Sequence, residues 1–204
     1  MKTAKITIGF CALALIMLLL GCSSPVSLTS WKNPNSNKQI SNVVVIALFD
    51  KLNYIQSMED AFYNYFSTQG LKTVKSLSFM VPYQTYQMAD LKKKLDSLGA
   101  DGLLILTSKG ADVSVDYNQP TYYGFYGRFG GGIAATGGGV YTSTTYNVRA
   151  NLYTTADDGL LWTGDLAVTD PNDVGGAMTQ MAQSVYGDWV KNAVLKYPPA
   201  PATK

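Results

Sequence analysis

The chain has 204 residues, of which 47% are hydrophobic, 15% charged and 12% aromatic. The length is typical of one folded domain with additional segments, and the aromatic fraction argues against a fully disordered chain. The sequence contains no histidine, which removes the commonest general base, the usual metal ligand and every Ser-His-Asp or Cys-His nucleophile system. Its two cysteines, Cys11 and Cys22, supply neither a disulfide framework nor a thiolate zinc site.

The N-terminus reads as a secretory signal peptide over residues 1–21. Lys2 and Lys5 give a short positive region, and residues 6–20 form an apolar run. As a helix that run would be about 22 Å long, shorter than the ~30 Å hydrocarbon core of a bilayer.

The apolar run ends in Leu19-Leu20-Gly21-Cys22, which resembles the lipobox of bacterial lipoproteins. The resemblance implies cleavage between Gly21 and Cys22, and acylation of Cys22 by palmitate-like chains that anchor the protein in the bilayer. Ser23, by resemblance to enterobacterial sorting, implies the outer membrane and its periplasmic face. Without the leader lysines the chain keeps 14 basic and 14 acidic side chains, so we expect no nucleic-acid partner.

Three further segments follow the predicted cleavage site. Residues 22–41 are rich in Ser, Asn, Pro and Lys, which predicts a flexible tether. An α/β domain then spans residues 42–196, and residues 197–204 form a disordered, proline-rich tail.

The first half of the domain alternates strands with helices. A β-branched run at residues 43–49 predicts a central strand that is buried on both faces. Helical stripes predict one helix from the N-cap Ser57 to Gly70, with Glu59 in its first turn, and a second helix that ends at Gly99. The strands predicted around these helices cover residues 72–79 and 102–117.

Residues 118–140 differ in composition, with eight glycines and five aromatic side chains. We predict a long loop, because neither a helical nor a strand period is present. The sequence leaves two interpretations open: a mobile connection, or a contact surface for a membrane, a glycan or a partner protein. The candidate contact residues are Tyr122, Tyr123, Phe125, Tyr126 and Phe129.

Regular structure is predicted again after the loop. Apolar and polar residues alternate over residues 141–155, which predicts an antiparallel strand with one solvent-exposed face. The turn Asp157-Asp158-Gly159 then leads to a strand at 160–169. Asp173 precedes the last helix. The element order is therefore β-α-β-α-β-loop-β-β-α. It predicts a single three-layer-like α/β (α+β) domain, with three helices on a mixed sheet of about five strands.

The side chains suggest little catalytic chemistry. The glycines precede a strand and lack a Gly-Lys-Ser/Thr sequence, so we expect no phosphate site. We also expect no metal and no cofactor. A hydrolase would need Asp50, Asp101 and Asp165 in one cleft. Their positions at caps and turns favour structural roles, so we predict that the protein is not an enzyme.

Two stretches carry a second family resemblance: Gly99-Ala100-Asp101-Gly102-Leu103-Leu104-Ile105, and Leu152-Tyr153 followed by Asp158-Gly159-Leu160-Leu161-Trp162. They resemble the penicillin-binding-protein activator lipoproteins and the periplasmic domain of the curli secretion-channel lipoprotein. The resemblance implies a compact mixed-sheet domain that acts in binding or assembly. In the channel protein, segments inserted between strands become membrane hairpins.

These observations predict a membrane-anchored, periplasm-facing lipoprotein that serves as a non-enzymatic scaffold or accessory in envelope assembly. Its partners would be the bilayer, through Cys22, and an envelope protein. The alternative is a homo-oligomeric component of an outer-membrane export channel. We rank the channel second, because a membrane strand needs about ten alternating residues and residues 125–139 do not alternate.

Overall fold

The computed structural model describes residues 26–118, 121–127, 130–136 and 139–196. The predicted signal peptide, Cys22 and the predicted tail at 197–204 lie outside these residues. Within them the strands are β1 (Val26–Lys32), β2 (Asn42–Leu48), β3 (Lys72–Lys75), β4 (Gly102–Asn118), β5 (Thr121–Gly127), β6 (Gly130–Thr136), β7 (Gly139–Thr154) and β8 (Leu160–Thr169). The helices are α1 (Leu52–Thr68), α2 (Met88–Ser97) and α3 (Val174–Lys191), with a 3₁₀ turn at Ser76–Ser78.

Six of the strands form one mixed sheet in the order β1-β8-β7-β4-β2-β3. Strand β2 runs parallel to β3 and β4, whereas the remaining neighbours are antiparallel. The predicted α/β fold with a mixed sheet is confirmed, with one strand more than the five expected.

The central strand β2 is buried on both faces, as its continuous apolar run predicts. Val43, Val45 and Ala47 belong to the core beneath α1 and α3. Val44 and Ile46 belong to a smaller core on the opposite face, with Leu95 of α2. The sheet therefore has helices on both sides, which is the predicted three-layer arrangement.

Two tryptophans join α3 to the sheet in the larger core. Trp162 of β8 and Trp189 of α3 are fully buried, with their rings edge to face at a centroid distance of 5.8 Å. The indole of Trp162 donates a 2.7 Å hydrogen bond to Asp188. Within the described residues, the Trp189 indole nitrogen has no hydrogen-bond partner.

Local sequence signals locate most helix ends. Asp173 caps α3 by accepting hydrogen bonds from the amides of Gly175 and Gly176. Gly99 follows α2 with φ +62°, the left-handed conformation that glycine tolerates best. The N-cap predicted at Ser57 is wrong, because α1 already begins at Leu52.

The tether predicted for residues 22–41 is wrong from Val26 onward. Residues 26–32 form β1, which pairs with β8 along its whole length and packs Val26 and Leu28 against the larger core. Ile40 is only 1% exposed and bridges to Leu195. A polar segment becomes ordered here because an edge strand needs few apolar side chains when it completes a ladder of backbone hydrogen bonds.

The loop predicted for residues 118–140 is also wrong. Strands β4 and β7 continue into it as far as Asn118 and from Gly139, and most of the interval is the antiparallel pair β5–β6. Sequence alternation signals one-sided burial of a strand, whereas the pairing of β5 with β6 is made by the backbone and requires no alternation.

Candidate functional site

The sequence-predicted site residues fall into two groups. Gly21, Cys22 and Phe129 lie outside the described residues. Tyr122, Tyr123, Phe125 and Tyr126 all belong to strand β5, so the predicted contact residues are part of a hairpin and not of an irregular loop.

The described parts of this hairpin pair in the same antiparallel register. Gly110 pairs with Asn147, and the pairing proceeds without a further shift to Asn118 and Gly139. Three residues further along each strand, Thr121 pairs with Thr136, and the same register leads to Gly127 and Gly130. We call residues 110–127 and 130–147 the long hairpin.

Polar contacts fix the base of the long hairpin. The side-chain amide of Asn147 donates to Asp112 at 2.7 Å, and the hydroxyls of Ser114 and Ser143 lie 2.6 Å apart. The loop after β8 also holds the hairpin, since Asp170 accepts a 2.7 Å hydrogen bond from the backbone amide of Thr144. The hairpin therefore leaves the sheet in a defined direction.

Beyond its base the long hairpin is a two-stranded ribbon with both edges open. Within the described residues, β4 has no strand neighbour on its β2 side after Thr107, and β7 has none on its β8 side before Thr145. Val113 and Val115 are 63% and 47% exposed. An isolated two-stranded ribbon is marginally stable in water, and open edges are templates for further strands. The two open edges are therefore able to pair with a further strand.

A groove of about 300 Å³ lies at the base of the long hairpin. It runs between the first turns of α1 and α3, at the end of the sheet where β2 stops. Its wall is largely apolar, and the exposed Asp50 and Lys51 lie at its rim. The apolar lining residues include Met58, Tyr146, Val148, Val168, Val174 and Met178.

The described chain begins beside this groove. Val26, the first residue of β1, pairs with Val168, which lines the groove, and Val168 pairs with Tyr146 at the base of the long hairpin. The start of the domain, the groove and the hairpin therefore share one end of the sheet.

The three aspartates of the hydrolase alternative do not share a cleft. Asp50 follows β2 at the groove, whereas Asp101 precedes β4 at the opposite end of the sheet. Asp101 accepts hydrogen bonds from the backbone amides of Ser41 and Asn42 and is thereby part of the structure. Asp165 lies within β8.

Asp165 and a further carboxylate, Asp157, are held in the ionised form by basic side chains. The Arg149 guanidinium donates two hydrogen bonds of 2.7 Å to Asp165 and lowers the pKa of that carboxyl. The Lys38 ammonium, 2.6 Å from Asp157, is the main cause that lowers the pKa of Asp157 to about 2, with a contribution from Thr154. Both arrangements favour a fixed charge over proton transfer.

Sequence reasoning missed Glu59, the most deeply buried carboxylate of the described chain. Glu59 is fully buried in α1 and accepts hydrogen bonds from the Ala47 amide (3.2 Å), the Ser76 hydroxyl (2.5 Å) and the Leu77 amide (3.1 Å). These contacts end β3 at Lys75, so the strand predicted to continue to residue 79 turns into the 3₁₀ segment.

Burial raises the pKa of Glu59, although its three hydrogen bonds oppose the shift. The carboxylate joins β2, α1 and the 3₁₀ turn inside the protein, away from the groove lining. One signal could have identified it: the sole glutamate of the sequence stands among the apolar positions of a helical stripe, between Met58 and Phe62.

The described residues contain no group of three or more Asp, Glu, Cys or His side chains that could hold a metal ion. Among the helices in this part of the chain, none is long and apolar enough to span a membrane.

Neither a protein-family model nor a curated protein matches the sequence. Among solved structures, the PelC dodecamer from Paraburkholderia phytofirmans is 13% identical, with a TM-score of 0.46 over 78% of this chain and 94% of PelC. Lipoprotein GNA1162 from Neisseria meningitidis is 15% identical, with a TM-score of 0.42 over 74% of this chain and 99% of GNA1162. At these TM-scores neither structure identifies a function, which has to be inferred from this chain's own residues.

Proposed function

We propose that this chain is a lipoprotein of the bacterial cell envelope that is anchored in the outer membrane and acts at its periplasmic face as a non-enzymatic accessory in envelope assembly. The observation that carries this proposal is the sequence Leu19-Leu20-Gly21-Cys22 at the end of a short apolar run. Acyl chains on Cys22 would hold the protein at the membrane without a spanning helix.

The position of β1 supports an assembly role close to the bilayer. Only four chain steps separate Cys22 from Val26, which allows a distance of at most about 14 Å. The folded domain would therefore lie against the membrane, with the groove and the long hairpin on the side nearest the anchor. A non-enzymatic role agrees with the absence of histidine from the sequence and with the separation of Asp50 from Asp101.

The anchor is tested by Cys22→Ser, with Cys11→Ser as the matched control. We expect mass spectrometry of the wild-type protein to find an acylated N-terminal Cys22. Cys22→Ser should give an unprocessed or soluble product, and Cys11→Ser should behave as wild type. Maturation that is insensitive to globomycin, with unchanged membrane fractionation of Cys22→Ser, refutes the proposal.

The partner-binding role is tested by shortening the long hairpin. Replacing residues 119–138 by Asn-Gly closes the ribbon with a two-residue turn on the Asn118–Gly139 pair and leaves its base intact. Pull-downs from solubilised envelopes with both forms should recover a specific envelope protein only with the full hairpin. Recovery of the same proteins by both forms contradicts a role of the hairpin in partner binding.

A second candidate function, a homo-oligomeric component of an export channel, is favoured by the continuous register of the long hairpin. Each copy offers two open strand edges, so neighbouring copies could pair on both sides and close into a ring. Native mass measurement of the detergent-extracted protein separates the candidates. A ring that the shortened hairpin abolishes supports the channel, and a monomer excludes it.

A further inference from the structure

We propose that the groove between α1 and α3 is a binding site for one fatty acyl chain, namely a chain carried by Cys22 of the same molecule. This inference rests on the acylation of Cys22 proposed above. The acyl chain would then have two locations, the bilayer and the groove inside the protein.

The chemistry of the groove fits a hydrocarbon chain. Its volume of about 300 Å³ is at the lower end of the range for small-molecule pockets, which is about 300–1,000 Å³. Three valines and three methionines of β7, β8, α1 and α3 are among its lining residues. Methionine is flexible and adapts to irregular apolar ligands. A methylene that moves from the bilayer to such a wall passes from one apolar environment to another, so its transfer costs little free energy.

The path of the chain identifies the source of the acyl group. Val26 lies on the strand next to Val168 and its side chain packs on the same face of the sheet, the face that α3 covers. Paired strands are about 4.7–4.9 Å apart, so β1 begins within one strand spacing of the groove wall. Cys22 lies at most about 14 Å from Val26 along an extended chain. An acyl chain on Cys22 therefore starts beside the groove, whereas a free lipid would have to be captured from elsewhere.

The groove is open at the start of α3, where an acyl chain could enter. Val174, at the start of α3, lines the groove and is 49% exposed, so a larger side chain there would cover the opening. Val190, near the end of the same helix, is 42% exposed and does not line the groove. The two positions offer a matched pair of substitutions, Val174→Trp and Val190→Trp.

The experiment uses the full chain, processed in cells fed a fatty acid with a diazirine and a terminal alkyne. After illumination of the envelopes, the protein is purified through the alkyne and its crosslinked peptides are mapped by mass spectrometry. We expect the peptide that contains Cys22 to be joined to peptides of the groove wall, above all within residues 168–181. Val174→Trp should lower this product at least about ten-fold, as a shift of ~1.4 kcal/mol does, and Val190→Trp should leave it unchanged.

The outcomes separate this inference from the proposed function. If the label is absent from Cys22, the anchor itself is refuted and the groove proposal is refuted with it. If Cys22 carries the label but its crosslinks reach only membrane lipids, the groove proposal alone is overturned. Groove peptides joined to a fatty acid that is not linked to Cys22 would overturn the assignment to the protein's own acyl chain.

Discussion

Glu59→Ala should destabilise the protein more than any change at the neighbouring exposed carboxylate. The substitution removes the acceptor of three hydrogen bonds, and two of the donors belong to the buried residues Ala47 and Ser76. An unsatisfied buried donor costs about 1–3 kcal/mol, and relief of the buried carboxyl offsets part of this. We expect the free energy of unfolding to fall by about 2–4 kcal/mol.

Asp60→Ala is the matched control, one residue further along α1. Asp60 makes an exposed 2.6 Å ion pair with Lys75, which contributes about 0–1 kcal/mol. In urea unfolding followed by tryptophan fluorescence, a slope of ~2 kcal/mol per molar converts the Glu59 effect into a midpoint lowered by about 1–2 M. Equal midpoints for the two variants would refute a structural role for the buried carboxyl.

Three further predictions concern the same core. Burial raises the pKa of Glu59, so the stability that its carboxyl contributes is complete below the ordinary carboxyl pKa and is lost as the pH rises through the folded-state pKa. Glu59→Gln should therefore gain stability relative to wild type as the pH rises above 4.5, and a relative loss in urea titrations contradicts this. Trp162→Phe should lower the free energy of unfolding by about 1–2 kcal/mol more than Trp189→Phe, because it alone breaks an indole hydrogen bond; equal denaturation midpoints would exclude that difference. Gly164→Ala places a methyl group 2.4 Å from the Trp162 ring and should destabilise by about 1–3 kcal/mol, whereas Gly187→Ala, in open space on α3, should stabilise by up to about 1 kcal/mol in calorimetry.

The helices and the central strand could be predicted because their signals are local and repeat along the sequence. The stripe through Phe62 and Phe66 becomes the buried face of α1, and the glycine at position 99 ends α2 as expected. In β2 the continuous apolar run corresponds to burial on two faces. The helical stripe and the apolar run arise from side chains that meet the core, so periodicity reports them, and Gly99 acts through its own backbone conformation.

The edge strand β1 and the part of the long hairpin within residues 118–140 could not be predicted in this way. Strand β1 buries little beyond Val26 and Leu28, and its composition is that of a linker. The strands at residues 121–127 and 130–136 pair with each other although their sequences, which are rich in glycine and aromatic residues, do not alternate. A strand forms only when another segment pairs with it. The residue pattern of one segment does not show which other segment that is.

Glu59 illustrates a different limit. With Ser57 as the N-cap, Glu59 falls in the first turn of the predicted helix. A negative charge there is ordinarily favourable, because it lies near the helix N-terminus. The true start at Leu52 moves Glu59 to the third turn and to the buried face. An error of six residues in the N-cap, Ser57 instead of Lys51, thus conceals the residue that joins α1 to β2 and to the 3₁₀ turn.

The distances along the sheet restrict how the two candidate functions could be realised. Val26 pairs with Val168, Val168 with Tyr146, and Tyr146 with Ala111, so Val26 and Ala111 lie at the same level of the sheet. From Ala111 to Gly127 the chain would span about 50 Å if extended at ~3.3 Å per residue. If Cys22 carries the proposed acyl chains, the hairpin starts beside the anchor and its extended length exceeds the ~30 Å hydrocarbon core. Hydrocarbon does not tolerate open strand edges, so a hairpin that crosses the bilayer requires neighbouring copies that pair with it. A monomeric protein must instead keep its hairpin outside the hydrocarbon, where an envelope partner can cover the edges. The oligomeric state therefore decides the environment of the hairpin as well as the function.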